Sequence, residues 1–391
     1  MARVKRALVL NHNAVPPNHG GLTRTGDLFS GLTGWSYLIL SASTTEGIRS
    51  PLPPRFGFKS IWASPYRKNG YTRILNWFTY ALGALAEGSR QKCPDVIYAS
   101  SPHPLVGPVA VALGKRFGVP VAFEVRDLWP EILESMGATR RGSLQYRAMD
   151  KLVKATYASA DVIVVLAEGV ASYLDSTIPG HRIELIPNSV VVPTLMPKSD
   201  RSALREELGL DGLVAIYAGA HGPANGLDRL LDAAAEFEGS EWTFLLVGQG
   251  IEKPRLTRRV KDEGLSNVVF SDPIPKADIY RLLQVSDVGI HLLADASLFE
   301  FGVSPNKLLD YWAAGLPVLS NVGGATRSLV ESVNGGVAVS HHGVAKGLRQ
   351  LMRCSSDERG LMGDRGRTWV AENRDRAEMT RRLQVLLDDL V

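Results

Sequence analysis

Residues 304–320 read Ser-Pro-Asn-Lys-Leu-Leu-Asp-Tyr-Trp-Ala-Ala-Gly-Leu-Pro-Val-Leu-Ser. Ser304 can cap a helix, and Pro305 fits its first position. Gly315 can end that helix in a left-handed turn, and Pro317-Val318-Leu319 then starts a buried strand. The free N–H groups at such a helix start, around Ser304, Pro305 and Asn306, bind anions, phosphates above all. Lys307 adds a mobile positive charge in the first turn. Asp310 follows on the same face, three residues later. This set suits a nucleotide: amides and Lys307 for the diphosphate, Asp310 for ribose hydroxyls. The plain alternative is a capped helix with a Lys307–Asp310 ion pair.

A second cluster is Phe123-Glu-Val-Arg126-Asp127-Leu-Trp-Pro-Glu131. A buried strand here runs into charged residues, which are costly at a strand end unless paired or functional. That singles out Arg126, Asp127 and Glu131; an Arg126–Glu131 ion pair is the structural alternative. His103 ends the Val96–Pro104 strand and loop, as a site residue or a surface histidine. Gly20-Gly21 follows the first strand and precedes a helix with Arg24. Adjacent glycines let backbone approach a ligand, or simply make a tight turn. Tyr217–Asp228 is a Gly-rich strand-to-helix turn in which Gly219 and Gly222 could cradle phosphate. Its spacing is neither Gly-x-Gly-x-x-Gly nor a P-loop.

The elements that must position these residues alternate. Short apolar runs recur at 7–10, 37–40, 96–99, 119–125, 162–166 and 183–186. Others follow at 213–218, 242–247, 268–270, 288–293, 317–319 and 337–339. Helical patterns lie between most of them. The order implies an α/β chain of doubly wound parallel sheets. With 391 residues, two domains fit better than one. The Pro-containing stretch 190–212 reads as the linker. We therefore expect domains at 1–192 and 193–374, with ligand loops at strand carboxyl ends facing a cleft.

Composition narrows the class. The chain is 45% hydrophobic and 21% charged, as in soluble globular proteins. A net charge of +4 fits acidic ligands or an anionic membrane surface and is too small to argue for nucleic acid. Two cysteines in different halves, Cys93 and Cys354, point to no disulfide framework and to a reducing cytoplasm. No apolar run is long enough to span a bilayer. No cluster has metal-ligand spacing, and no Asp-x-Asp occurs. Neither a metal nor another cofactor is expected.

Segments 123–131, 217–229 and 302–320 together resemble the retaining glycosyltransferases of family 4, which have two Rossmann-like domains in the GT-B architecture. Many members carry two glutamates eight positions apart at the last segment; here these positions hold Gly302 and Asp310. The chain is more similar to the amino-sugar transferases of O-antigen and capsule assembly, which share Arg-Asp-Leu-Trp-Pro-Glu and a Ser/Pro-rich segment with a lysine. The resemblance implies a nucleotide-diphosphate sugar donor, a UDP-sugar first, and a lipid-linked or glycan acceptor. It places Gly20, Gly21, Gly219, Gly222, Ser304, Pro305, Asn306 and Asp310 at the donor, with Ile274 in the loop that reads the base. It places Arg24, His103, Arg126 and Glu131 at the acceptor, with Asp127 touching the acceptor hydroxyl as a base. Many relatives clamp the diphosphate with an arginine and a lysine after the 213–218 strand. That pair is missing here, so Lys253 stands as the substitute beside Lys307. The resemblance also brings the last helix, 375–391, back onto the first domain.

Residues 65–85 combine Arg67, Lys68 and Arg73 with Trp77, Phe78 and Tyr80 on one expected helix. That suits peripheral contact with an anionic membrane, at the inner face of the plasma membrane, or equally a core helix with a charged end. Two other functions share the architecture: a nucleotide-sugar 2-epimerase, and a non-catalytic subunit that binds a nucleotide sugar.

Overall fold

The structure is a computed structural model that describes residues 3–16, 23–45, 48–49, 57–66, 70–135, 137–294 and 306–391. It divides into two compact units, residues 1–187 with 376–391, and residues 188–375.

The first unit holds a sheet of β1 (Lys5–Leu10), β2 (Trp35–Ala42), β5 (Phe58–Ile61), β6 (Val96–Ser101), β7 (Val121–Val125), β8 (Val162–Val165) and β9 (Ile183–Leu185). A small antiparallel ladder, β3 (Thr44–Thr45) and β4 (Ile48–Arg49), stands apart. The sheet order is β5-β2-β1-β6-β7-β8-β9, parallel throughout. Strands such as Val-Ile-Val-Val at β8 are buried on both faces, hence their unbroken apolar character. The helix Arg376–Asp389 completes this unit: Met379, Leu383, Leu386 and Leu387 join the core around Val9, Phe29 and Ile39. Arg376 pairs with Asp27 at 3.1 Å, and Lys5 with Asp388 at 2.8 Å.

The second unit holds β10 (Leu213–Ala218), β11 (Trp242–Val247), β12 (Val268–Ser271), β13 (Val288–His291), β14 (Val318–Ser320) and β15 (Gly336–Ala338). Their order is β12-β11-β10-β13-β14-β15, again all parallel. Apolar clusters cover both sheet faces, one around Tyr217, Trp242 and Phe244, the other around Ile216, Tyr311 and Trp312.

Strand order reverses between β1 and β6 in the first unit, and between β10 and β13 in the second. In open parallel sheets a ligand crevice forms outside the carboxyl ends of strands at such a reversal. His12 and His103 follow the first pair of strand ends; the Gly219 turn follows β10.

Two expectations need correction. The stretch 190–212, read as a linker, contains the helix Lys198–Glu207. Arg205 fastens it to the Val285 carbonyl at 2.7 Å and to Asp287 at 2.9 Å. Of the aromatic residues assigned to a membrane side, Trp77 and Tyr80 are buried, because they face β5 and the strand ends from the helix Tyr71–Ser89.

Candidate functional site

In the second unit, the turn after β10 and the start of the helix Asn306–Ala313 meet. The Tyr311 hydroxyl accepts the Ala218 N–H at 2.9 Å, which seats that helix on the strand end. Gly219, at φ +157°, leaves room for Lys307: a Cβ there would fall 2.4 Å from its Cε. Lys307 Nζ donates to Asn225 Oδ1 at 2.6 Å and lies 5.0 Å from the Tyr217 ring centre. Asn225 Nδ2 donates in turn to the Ala220 carbonyl at 2.9 Å. Among the described residues no carboxylate pairs with Lys307, and burial draws its pKa from 10.5 to about 8. The Lys307–Asp310 ion pair does not form. Asp310 instead accepts the Tyr280 hydroxyl at 2.5 Å.

The other donor-side residues fall out differently. Lys253 is spent: it donates to the carbonyls of Gly248 at 3.0 Å and Ser271 at 2.9 Å, and to Asp272 at 2.8 Å. Three acceptors use all three N–H groups of an ammonium, so Lys253 fastens the ends of β11 and β12 together. His221 is fully buried against Tyr217 and Phe270, with no partner for either ring nitrogen among the described residues. Burial, then Lys253 and Lys307, pull its pKa to about 4, so it is neutral. Gly222 opens the short 3₁₀ turn Pro223–Asn225. Ile274 is partly buried and packs against the unit's core. Asn306 begins its helix and is exposed. Gly20, Gly21, Ser304 and Pro305, like Gly302, Arg67 and Lys68, lie outside the described residues.

In the first unit the central feature is Glu124, buried in β7. Its carboxylate accepts Arg24 Nε at 2.9 Å, the Tyr98 hydroxyl at 2.7 Å and the Ser100 hydroxyl at 2.7 Å. Burial alone would raise its pKa; Arg24, Arg126 and the two hydroxyls outweigh it and hold the group ionised. Arg24 also donates to the carbonyls of Ile186 and Pro187, both at 2.6 Å. Each of its guanidinium nitrogens is engaged, so Arg24 positions this network. Glu131 accepts the Tyr173 hydroxyl at 2.6 Å and the Tyr146 hydroxyl at 3.5 Å, and forms no ion pair with Arg126.

Asp127 stands differently. No described residue donates to its carboxylate, and burial raises its pKa against the fields of Arg126 and Arg73. Beside it in sequence, Arg126 has a buried Nη1 without a partner. His103 is fully buried, not a surface histidine. Its ring stacks on Trp77 at 5.2 Å, and its Nε2 lies 3.0 Å from His12 Nδ1. The Leu105 N–H points at His103 Nδ1 at 3.3 Å. His103 Nε2 therefore carries the proton and donates to His12. Burial holds both rings neutral, His12 at about 3 and His103 well below its ordinary value. Glu124, Tyr98, His12, Asn225 and Tyr280 had not been singled out from sequence. Glu124 alone left a signal there, a charge inside an apolar strand.

Two parallel-sheet α/β units, each with a reversal of strand order, are the architecture of the GT-B glycosyltransferases, and comparison with known proteins bears on the family. Residues 33–189 match the glycosyl transferase 4-like domain, and residues 212–354 match the glycosyl transferases group 1 domain. The chain belongs to the GT-B glycosyltransferases of family 4. WbjE of Pseudomonas aeruginosa, named as a glycosyltransferase, is 23% identical over 75% of this chain and 72% of its own. WcaI of Escherichia coli (strain K12), named for colanic acid biosynthesis, is 22% identical over 66% of each chain. Among solved structures, sucrose-phosphate synthase of Thermosynechococcus elongatus superposes with a TM-score of 0.78 at 16% identity, covering 99% of each chain. HepE of Anabaena, in complex with UDP-glucose, gives a TM-score of 0.71 at 17% identity, covering 98% of this chain and 100% of its own. These structural likenesses are of fold.

Proposed function

We propose that the chain moves a hexose or N-acetylamino sugar from a UDP-sugar to a lipid-linked or polysaccharide acceptor in cell-envelope glycan synthesis. Transfer retains anomeric configuration and needs no divalent ion. The observation that carries this reading is Lys307, a half-buried ammonium whose only hydrogen-bond partner among the described residues is a neutral amide. A diphosphate supplies the missing counter-charge. As the bond from the sugar's anomeric carbon to the diphosphate breaks, the electron pair leaves with the diphosphate, and Lys307 with the helix start stabilises that charge. The acceptor oxygen bonds to the anomeric carbon, and its proton goes to Asp127, whose raised pKa suits a base. Arg126, with an unpartnered nitrogen, contacts the acceptor; Arg24, His103 and Glu131 hold the surroundings in place.

Retention and the amino sugar rest on the family likeness. The UDP-sugar is supported by HepE with UDP-glucose, and the envelope glycan by the name of WcaI. The test is release of nucleoside diphosphate from UDP-, GDP-, dTDP- and ADP-sugars in EDTA, with and without a membrane lipid extract. Acceptor-dependent UDP release is expected, and proton NMR of the product should show the donor's anomeric configuration. Turnover only after divalent ions are restored, or an inverted product, would overturn it.

A further inference from the structure

Asp310 and Tyr280 meet across two helices of the second unit. Tyr280 stands one turn into the helix Lys276–Gln284, which starts directly after the loop that follows β12. Asp310 belongs to the helix Asn306–Ala313, one turn beyond Lys307 and on the same face. The Tyr280 hydroxyl donates to Asp310 Oδ1 at 2.5 Å, and both residues are half-buried. Tyr280, like Ile274, packs against the core cluster that holds Leu308 and Leu309, so its phenol is held in place. The chemistry of this pair is one-sided. A carboxylate only accepts hydrogen bonds, and one hydroxyl does not exhaust its two oxygens. A phenol that has given its hydrogen away keeps an oxygen that accepts. The pair thus presents two acceptors side by side, and its matching ligand group is two adjacent hydroxyls, each with a hydrogen to give. Aspartate reaches one methylene less far than glutamate, and the phenol oxygen extends that reach.

We propose that Asp310 and Tyr280 together read the ribose of the nucleotide, Asp310 accepting one of its two hydroxyls and the Tyr280 oxygen the other. Tyr280 is then a specificity-determining residue that sets ribose above deoxyribose. This rests on the nucleotide reading above, in which Lys307 holds the diphosphate. A nucleoside diphosphate running from Lys307 toward the loop after β12 passes the pair, because Lys307 and Asp310 share a helix face and Tyr280 sits on the helix that this loop feeds. The competing role is a tie between two helices, which the hydroxyls of a ligand would not feel.

The test is calorimetry on the full chain with UDP, 2′-deoxy-UDP and 3′-deoxy-UDP, and with the same three forms of the guanine and adenine nucleotides in case the base differs. The unaltered chain should bind each deoxy form about tenfold more weakly than the parent nucleotide. Tyr280→Phe removes one oxygen and should keep the thermal unfolding curve. It should weaken UDP about tenfold and lose discrimination against one deoxy form while keeping it against the other, which Asp310 still reads. Adding Asp310→Glu to Tyr280→Phe lengthens the carboxylate and should restore discrimination against both. In turnover, Tyr280→Phe should raise the donor KM about tenfold and leave kcat within about twofold. Equal binding of ribose and deoxyribose forms by the unaltered chain, or a Tyr280→Phe chain as selective as the parent, would overturn the inference and leave the nucleotide reading standing. So would a Tyr280→Phe chain that melts early and weakens all three forms alike, because the hydroxyl would then be a structural tie. If no nucleoside diphosphate binds at all, the nucleotide reading fails and the inference fails with it.

Discussion

The two strand-end regions at the sheet reversals share a topology and differ in how they treat charge. In the first unit a buried carboxylate, Glu124, is met by Arg24, Tyr98 and Ser100, and the nearby histidines are kept neutral. In the second, a half-buried cation, Lys307, has a neutral amide and an aromatic face and, among the described residues, no counter-charge. A satisfied network is built for rigidity, and an unsatisfied charge is built to receive a ligand. The same contrast separates two lysines of the second unit, since among the described residues Lys253 has three acceptors and Lys307 has one. Position at a strand end is therefore a weak guide to a binding role; unmet charge is the better one.

That contrast can be broken most severely at Glu124. Glu124→Ala strands Arg24 in the interior, and chemical denaturation should show a loss of about 3–5 kcal/mol. A loss below about 1 kcal/mol would show the network to be dispensable. Asp127→Asn tests a carboxylate of the same region to which no described residue donates. It should lower turnover by about 10²–10⁴-fold with stability retained. Unchanged turnover would remove Asp127 as the base. Lys307→Ala should cost about 10²-fold in turnover and weaken UDP binding, as read by calorimetry. In the unaltered chain, UDP should also bind less tightly as pH rises through about 8, because the free ammonium loses its proton there. Lys253→Met should do the reverse of Lys307→Ala, lowering stability by about 1–3 kcal/mol with under about tenfold change in UDP affinity. If the two lysine variants behave alike, the division between clamp and binder fails.

A separate test, of the buried neutral histidines, is acid stability. His12 and His291 have folded pKa values of about 3, against 6.5 when unfolded, both through burial first. Between those values the unfolded chain binds protons that the folded chain refuses. Stability is then present above pH 6.5 and falls as pH drops toward 3, by up to about 1.4 kcal/mol per pH unit for each such histidine. Denaturation midpoints that stay level from pH 7 to about 4 would contradict this.

Much of the fold could be read from the chain because parallel strands buried on both faces announce themselves as apolar runs, as at Val162–Val165 and Leu213–Ala218. β5 was missed for the converse reason. Phe-Lys-Ser-Ile lies at the sheet edge, where Lys59 is exposed, so no run exists to detect. The helix Lys198–Glu207 was taken for a linker because it buries no residue and so shows no apolar stripe. Lys307 and Asp127 were legible as charges at helix and strand ends. The partners were not: Arg24 meets Glu124 across a hundred positions, and Lys253 finds two carbonyls, which every residue possesses and no sequence distinguishes.

The return of the last helix has a consequence for biosynthesis. The chain leaves the first unit after Pro187 and re-enters at Arg376, and the two crossings are joined where the Val190 N–H donates to the Arg374 carbonyl at 3.0 Å. The second unit is in effect an insertion between the body of the first and its closing helix. On the ribosome, the earlier-made unit waits with the hollow for Met379, Leu383 and Leu387 uncovered until the later-made unit has emerged. A nascent chain stopped short of Arg376 would display that apolar hollow, a ready handle for chaperones and proteases that discard unfinished enzyme.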